Sequence, residues 1–270
     1  MTTRKILLVG IDGLRLDDTL AHGVAPHLAA LIGRGRLHPV TMEAPTISGP
    51  GWSSILTGST HEVHGVFDNS FHGHHLDRTT DFLTTASRRA PDLGTFAAAG
   101  WPPLLDPLGP GPVVATRLDD QRRFRHRLVI RDGETYGYRT ADGEVAAFAR
   151  LAIRDAGPHA SFVYLGEVDE AGHLYGGVSR EYAEATARVD AHLGGILAAV
   201  EKRAQDHDED WLVGVTTDHG HLDAGGHGGS DAVLTRSFLA LACYGGDIDK
   251  GPAADVLPSE IAGILLDHLV

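Results

Sequence analysis

Four short runs rich in Val, Ile, Leu or Phe punctuate the chain at residues 4–11, 161–168, 211–217 and 236–243. Their length and turn-bounded ends suit buried strands. The segments between them read as helices for separate reasons. Residues 26–34 (PHLAALIGR) begin with proline, which suits a first helical turn because an N–H there would have no partner. Residues 180–203 carry Tyr182, Val189, Leu193, Ile196, Leu197 and Val200 at helical spacing, with Ser179 placed to cap them. Helices are also expected at 142–156 and 258–269. Strands alternating with helices specify an α/β fold: a layered sandwich with a central, largely parallel sheet flanked by helices. A single domain over residues 1–270 accommodates that plan.

One segment breaks the alternation. Residues 122–140 (RRFRHRLVIRDGETYGYRT) contain Asp132-Gly133, a dipeptide favoured in tight hairpins. We therefore expect a small β-hairpin within an insertion around 76–141. The two-residue period of a strand would put Arg123, Arg125 and Arg127 on one face. That face is either a set of surface salt bridges or a basic flap over an anionic substrate.

Charge narrows the partners. The formal net charge of -13 argues against a nucleic-acid polymer or an anionic membrane surface. It leaves room for a small phosphorylated substrate, because bound cations can reverse a local field. A single cysteine, Cys243, excludes an internal disulfide and a thiolate metal site. The apolar run after MTTRK stops at Asp12, so it reads as a first strand and not as a leader. No run of about 18 apolar residues occurs, so no membrane-spanning helix is expected and the cytoplasm is the expected location.

The chemistry gathers where strands should end. Residues 216–229 read TTDHGHLDAGGHGG, straight after the apolar run WLVGV. Open α/β sheets place their sites outside the carboxyl ends of strands. Asp12 follows the first run, Asp169 and His173 follow the second, and Asp218, His219 and His227 follow the third. A lone Asp there is usually a cap or turn residue, and a lone His usually a surface group. Three of each, all at expected strand ends, point to a metal site. Ser48 precedes Gly-Pro-Gly at the start of a short apolar helix, a place that favours an anion. A serine hydroxyl needs a base or a metal to become a nucleophile, and no Gly-x-Ser-x-Gly pattern occurs, so metal activation fits better.

At this point the chain resembles a known family. VGIDG (9–13), PTISGPGWSSILTG (45–58), HGVFDN (64–69), DEAGHLYG (169–176), DHG (218–220) and GGHGG (225–229) are similar in content and order to the motifs of the alkaline phosphatase superfamily. The type I phosphodiesterase/nucleotide pyrophosphatase branch is the nearest match. The resemblance implies a site for two divalent metal ions, with Asp12, Asp218, His219 and the Ser48 oxygen on one and Asp169, His173 and His227 on the other. It makes Ser48 the nucleophile and Asn69 the contact to a phosphoryl oxygen. A thiolate-free set of His and Asp suits Zn²⁺.

The resemblance implies hydrolysis of a phosphodiester or pyrophosphate bond through a phospho-serine, with a nucleotide among the candidate substrates. Three features depart from the family pattern. Serine stands where the family carries threonine, Gly-Pro-Gly (49–51) replaces Phe-Pro-Asn, and the chain is short. Trp52 stands where a sulfatase would carry arginine, which argues against a formylglycine enzyme. Gly49 and Trp52 are expected to contact substrate, Trp52 as a neutral wall that favours a diester. Alternatives on the same core are a phosphomonoesterase or a phosphonate hydrolase. A non-catalytic metal binder is a further alternative, suggested by the histidine-rich stretch HEVHGVFDNSFHGHH (61–75).

Overall fold

The strand β1 (Thr3–Ile11) is buried from Lys5 onward, and its side chains alternate between two layers of core. Ile6 and Leu8 enter one layer, Leu7 and Val9 the other. A strand buried on both faces must be apolar at nearly every position, which is why LLVGI shows no polar alternation. Each such side chain contributes about 1.5–3 kcal/mol by leaving water. The computed structural model describes residues 2–248 and 253–270.

Six further strands complete one sheet: β2 (Arg36–Thr41), β3 (Thr95–Ala99), β4 (His126–Ile130), β5 (Ala160–Leu165), β6 (Glu209–Thr216) and β7 (Arg236–Tyr244). Their order is β2-β7-β6-β1-β5-β3-β4. β6, β1, β5, β3 and β4 run parallel; β7 pairs antiparallel with β6, and β2, antiparallel to β7, closes that side running in the direction of the other five. Helices Pro26–Arg34, Tyr138–Ala156 and Arg180–Asp206 pack on the Leu7/Val9 face. Helices Ser48–Thr57, Phe82–Arg89 and Ile261–Asp267 cover the Ile6/Leu8 face. The layered α/β plan is the one expected, and Ser179 caps its helix by accepting from Tyr182 N at 3.0 Å.

The segment around 76–141 departs from expectation. It supplies β3 and β4 of the main sheet, and no hairpin forms at Asp132-Gly133. Asp132 instead caps the helical turn Gly133–Tyr136, its carboxylate accepting from Thr135 N at 3.0 Å. An Asp-Gly pair serves a helix start as readily as a hairpin, and the helix that follows decided between them. The basic flap is lost with the hairpin. Arg127 lies on β4, but Arg123 and Arg125 precede it, separated by Phe124 at φ 59. Arg125 pairs with Asp120 at 3.1 Å, and Arg127 stacks its guanidinium 5.5 Å over the Phe124 ring. All three arginines sit towards the amino end of β4, the end of the sheet opposite the strand ends that carry the aspartates.

Candidate metal centre and active site

β6, β1 and β5 are adjacent and parallel, so the residues after their last positions converge at one edge of the sheet. Asp12 follows β1 directly, and its N–H still donates to Leu165 O at 3.0 Å. Asp218 and His219 follow β6 two and three residues on. Asp169 does not end a strand. β5 stops at Leu165, and Asp169 lies in the first turn of helix Glu167–Tyr175, with His173 one turn later on the same face. Asp142, fully buried on the neighbouring helix, accepts from Gly166 N at 3.0 Å and Glu167 N at 2.8 Å, so it caps that helix from outside.

The nucleophile candidate comes from the other layer. Ser48 is the first residue of helix Ser48–Thr57, and its Oγ lies 3.3 Å from His219 Nε2. The helix start is not a fan of free donors: Pro50 has no N–H, Gly51 N–H closes on Ile47 O, and Gly49 N–H donates to Asn69 Oδ1 at 2.8 Å. That last bond turns the Asn69 amide nitrogen outward. A Cβ on residue 49 would meet Asp68 O at 2.7 Å, so glycine is what lets the two loops touch. Gly49 therefore orients Asn69. Trp52 is not a substrate wall: it is fully buried, and its Nε1–H donates to Asp12 Oδ2 at 2.9 Å. Gly10 makes that possible, because a Cβ there would lie 2.3 Å from the indole.

The donor set fits cations. Asp12 Oδ2 accepts from Trp52 and, at 2.7 Å, from the Tyr164 hydroxyl, whereas Asp12 Oδ1 and Asp218 Oδ2 are buried and accept no hydrogen bond. His219 donates Nδ1–H to Gly220 O at 3.1 Å, which leaves the Nε2 lone pair facing Asp12 Oδ1 at 3.3 Å and Asp218 Oδ2 at 3.4 Å. Likewise His227 donates Nδ1–H to Thr46 O at 2.8 Å, and its Nε2 faces His173 Nε2 at 2.9 Å and Asp169 Oδ1 at 3.6 Å. Acceptors that converge without donors between them, with tautomers fixed by the far nitrogen, are the arrangement a divalent ion requires. Among the described residues two groups have donor atoms all within 4.8 Å of one another: Asp12, Asp218 and His219, and Asp169, His219, His221 and His227.

Electrostatics agrees with that reading. Burial, then the neighbouring Asp12 charge, pushes the Asp169 carboxyl up to about 7, and the same causes drive Asp218 well above the usual carboxylate range. Burial holds His219 well below its ordinary value. Three clustered carboxylates are costly to ionise together unless a positive charge joins them.

His221 was not singled out from the sequence. It is buried, with Nε2 2.6 Å from Asp169 Oδ1, and burial keeps it neutral with a pKa of about 4. Its only sequence signal was its place two residues beyond His219 in DHGH. His173, by contrast, lies on the exposed side, 3.5 Å from Asp169 Oδ2. The stretch 61–75 contributes Asn69 to the site but no member of either group.

Beside the cluster lies a cavity of about 330 Å³. Ser48, Asn69, Asp169, His173 and His227 line it together with Trp101, Glu134, Tyr138 and Glu170. Among the described lining residues there is no lysine or arginine.

The structure is thus a mostly parallel α/β sandwich with a carboxylate–imidazole cluster that could hold a divalent ion at its strand ends, and a serine on the rim. The sequence pattern of the type I phosphodiesterase/nucleotide pyrophosphatase family matches residues 6–263, and the chain belongs to that family. It is 27% identical over 270 residues to the bis(5'-adenosyl)-triphosphatase ENPP4 of Bos taurus, covering 94% of this chain. The chain spans about half, 54%, of that relative's length. Its fold is similar to that of an inactive murine ectonucleotide pyrophosphatase/phosphodiesterase 5 in complex with AMP, with a TM-score of 0.71 at 16% identity, over 98% of this chain and 95% of the other. It is also similar to the phosphonoacetate hydrolase of Sinorhizobium meliloti 1021 in complex with phosphonoformate, with a TM-score of 0.60 at 17% identity, over 81% and 57%. No helix among the described residues is long and apolar enough to cross a membrane.

Proposed function

We propose that this protein hydrolyses phosphodiester or pyrophosphate bonds through a phospho-serine on Ser48. The observation that carries the reading is the Ser48 hydroxyl 3.3 Å from His219 Nε2, on the rim of the buried Asp/His cluster. Asp12, Asp218 and His219 would hold one divalent ion beside Ser48, and Asp169, His173 and His227 a second, with zinc best suited to this thiolate-free set. When bound, such ions supply the positive charge that makes a serine hydroxyl nucleophilic near neutral pH and that stabilises a departing oxygen. In the first half-reaction a bond forms between Ser48 Oγ and phosphorus, the bond to the leaving alcohol breaks, and the serine proton passes to solvent. In the second, water attacks phosphorus, the bond to Oγ breaks, and the serine is restored. Asn69, its amide nitrogen turned outward by Gly49, would donate to a phosphoryl oxygen as charge builds there. Trp52 and Tyr164 fix Asp12, and His221 fixes Asp169, so the carboxylates stay in place through both steps.

The cavity also bears on the competing readings. A phosphomonoester or a phosphonate such as phosphonoacetate brings a second negative charge, and the cavity wall offers no lysine or arginine to meet it. A monoanionic diester needs no such partner. The substitution Ser48→Ala tests the proposal. It should lower turnover of bis(4-nitrophenyl) phosphate by on the order of 10³-fold or more, as loss of a covalent nucleophile does. Metal content by elemental analysis should stay near two equivalents per chain. Retention of near-normal turnover, or a content of one ion in the fully active protein, would overturn it.

A further inference from the structure

Helices Tyr138–Ala156 and Arg180–Asp206 frame a second cavity, of about 440 Å³, lined from residues 147–154 and 195–207. It lies away from the metal centre. Both helices begin at the site: Tyr138 lines the Ser48 cavity, and the Tyr182 hydroxyl donates to Gly13 O at 2.7 Å. Their last turns instead lead into the starts of β5 and β6, at the opposite edge of the sheet.

Four cationic side chains line this second cavity, Arg150, Arg154, Lys202 and Arg203, against one carboxylate, Asp206, in a chain of net charge -13. Three of the four have a local account. Arg154 pairs with Asp155 at 2.6 Å, Lys202 with Asp206 at 2.8 Å and Arg203 with Glu209 at 2.8 Å. All three sit near a helix end, where positive charge offsets the helix dipole. The Arg154 and Lys202 pairs are exposed, so water competes for them and an incoming anion can share them.

Arg150 has no such account. Among the described residues it makes no ion pair and no hydrogen bond. It lies against the second helix at Gly195, where a Cβ would come within 3.1 Å of its Cδ and 3.3 Å of its Nη1. Glycine is a poor residue inside a helix, and here it leaves room for the arginine. Burial, then the Arg150 charge, holds His192 below its ordinary value, so that charge acts without a carboxylate to cancel it. Ala147, Leu151, Ala198 and Ala199 add apolar lining. A ligand for this cavity needs an anionic group on an apolar body.

The reaction proposed above releases such a molecule. Water added across a phosphodiester gives an alcohol and a phosphomonoester, whose second pKa of about 6 makes it largely a dianion at neutral pH. That dianion meets no lysine or arginine among the described residues lining the Ser48 cavity, and four here. We infer that the cavity between helices Tyr138–Ala156 and Arg180–Asp206 binds organic phosphate monoesters, and that Arg150, with Arg154 and Lys202, holds the phosphate. The choice of ligand rests on the hydrolase reading; the cavity and its charges do not.

Phenyl phosphate, a dianion on a small apolar body, is the probe. Calorimetric titration of the metal-loaded full chain should show a saturable component that weakens as salt is raised. Arg150→Gln combined with Lys202→Gln should weaken that component by about tenfold or more, as the loss of two close charges would. Both residues lie outside the Ser48 cavity, so the initial rate with bis(4-nitrophenyl) phosphate should stay unchanged. Gly195→Ala gives a second check without removing a charge. Its methyl group takes the space beside Arg150, so it should weaken the same component while Tm holds or rises, because alanine favours the helix. Inorganic phosphate, which has no apolar body, should bind about tenfold more weakly, and benzyl alcohol should not bind. If the only component seen is one that neither variant alters, phenyl phosphate binds at the metal centre alone and the inference is overturned. Inorganic phosphate binding as tightly as phenyl phosphate would mark a site for an adventitious anion only, and overturns it too. If the component behaves as expected but the diester is not hydrolysed, the binding site stands and the hydrolase reading fails.

Discussion

His64 is buried beside helix Ser48–Thr57, its Nδ1 accepting from Val66 N at 3.1 Å and its Nε2–H donating to Ser54 Oγ at 3.0 Å. Only the neutral imidazole can do both. Burial, then the neighbouring His61, lowers its pKa to about 4, against an ordinary value of 6.5. The folded value lies below the unfolded one, so the stabilisation is complete above about 6.5 and is lost as pH falls towards 4. Urea unfolding across that window should show stability falling with acid. His64→Asn, which keeps an acceptor near Val66 N, should shallow the slope by about one proton, or roughly 1.4 kcal/mol per pH unit. An unchanged slope would mean that His64 titrates normally in the folded protein. Trp52 makes a related point at the same scale. One indole N–H converts a tryptophan four residues after Ser48 from an expected substrate wall into a support for Asp12.

Helix Glu167–Tyr175 carries two of the expected ligands, yet its own N-cap is Gly166, which has no side chain to offer. Asp142 supplies the cap from helix Tyr138–Ala156, 24 residues earlier in the chain. Asp142→Ala would leave two buried N–H groups without acceptors, for a loss of about 2–4 kcal/mol in chemical denaturation. Asp142→Asn, which keeps one acceptor oxygen, should cost less. Because the helix fixes Asp169 and His173 together, the alanine variant should also weaken metal binding in a chelator competition. Equal stability in both variants and the unaltered protein would remove Asp142 from this positioning role. The Asp132-Gly133 turn belongs to the same scale: local residue preference allowed hairpin or helix, and the capping of Thr135 N favoured helix.

Across the whole molecule, the site assembles candidate ligands from chain positions 12 to 227, brought together by the pairing of β6, β1 and β5. Folding therefore gathers three carboxylates that repel one another, in a protein whose net charge is already -13. Bound divalent ions should offset that repulsion and favour the folded state. At about a hundredfold over Kd a single ion adds roughly 2.7 kcal/mol, so chelation should lower Tm by about 5–10 °C and added zinc should restore it. Calorimetry with and without chelator measures this directly. No change in Tm after complete metal removal would mean that the cluster does not bind its ion in the folded protein.

The sequence by itself determined the layered α/β plan, because strands buried on both faces must be continuous apolar runs and helices must repeat at their own period. It also marked Asp12, Ser48, Asp169, His173, Asp218, His219 and His227, because polar residues that close such runs, or open a short helix, stand out against them. The short strands β2 and β3 escaped notice, and β4 was expected only as one arm of a hairpin: RLHPVT and HRLVI mix charged or polar residues with apolar ones, as edge strands do, and TFAAA is mostly alanine, which marks no strand. His221 escaped for a different reason. Its importance lies in a 2.6 Å contact with Asp169, 52 residues away in the chain, and no local pattern encodes such a contact. The same holds for Trp52 on Asp12 and for Asp142 under helix Glu167–Tyr175. Sequence periodicity records which face of an element is buried, but only the packing of one element on another decides which polar atom meets which.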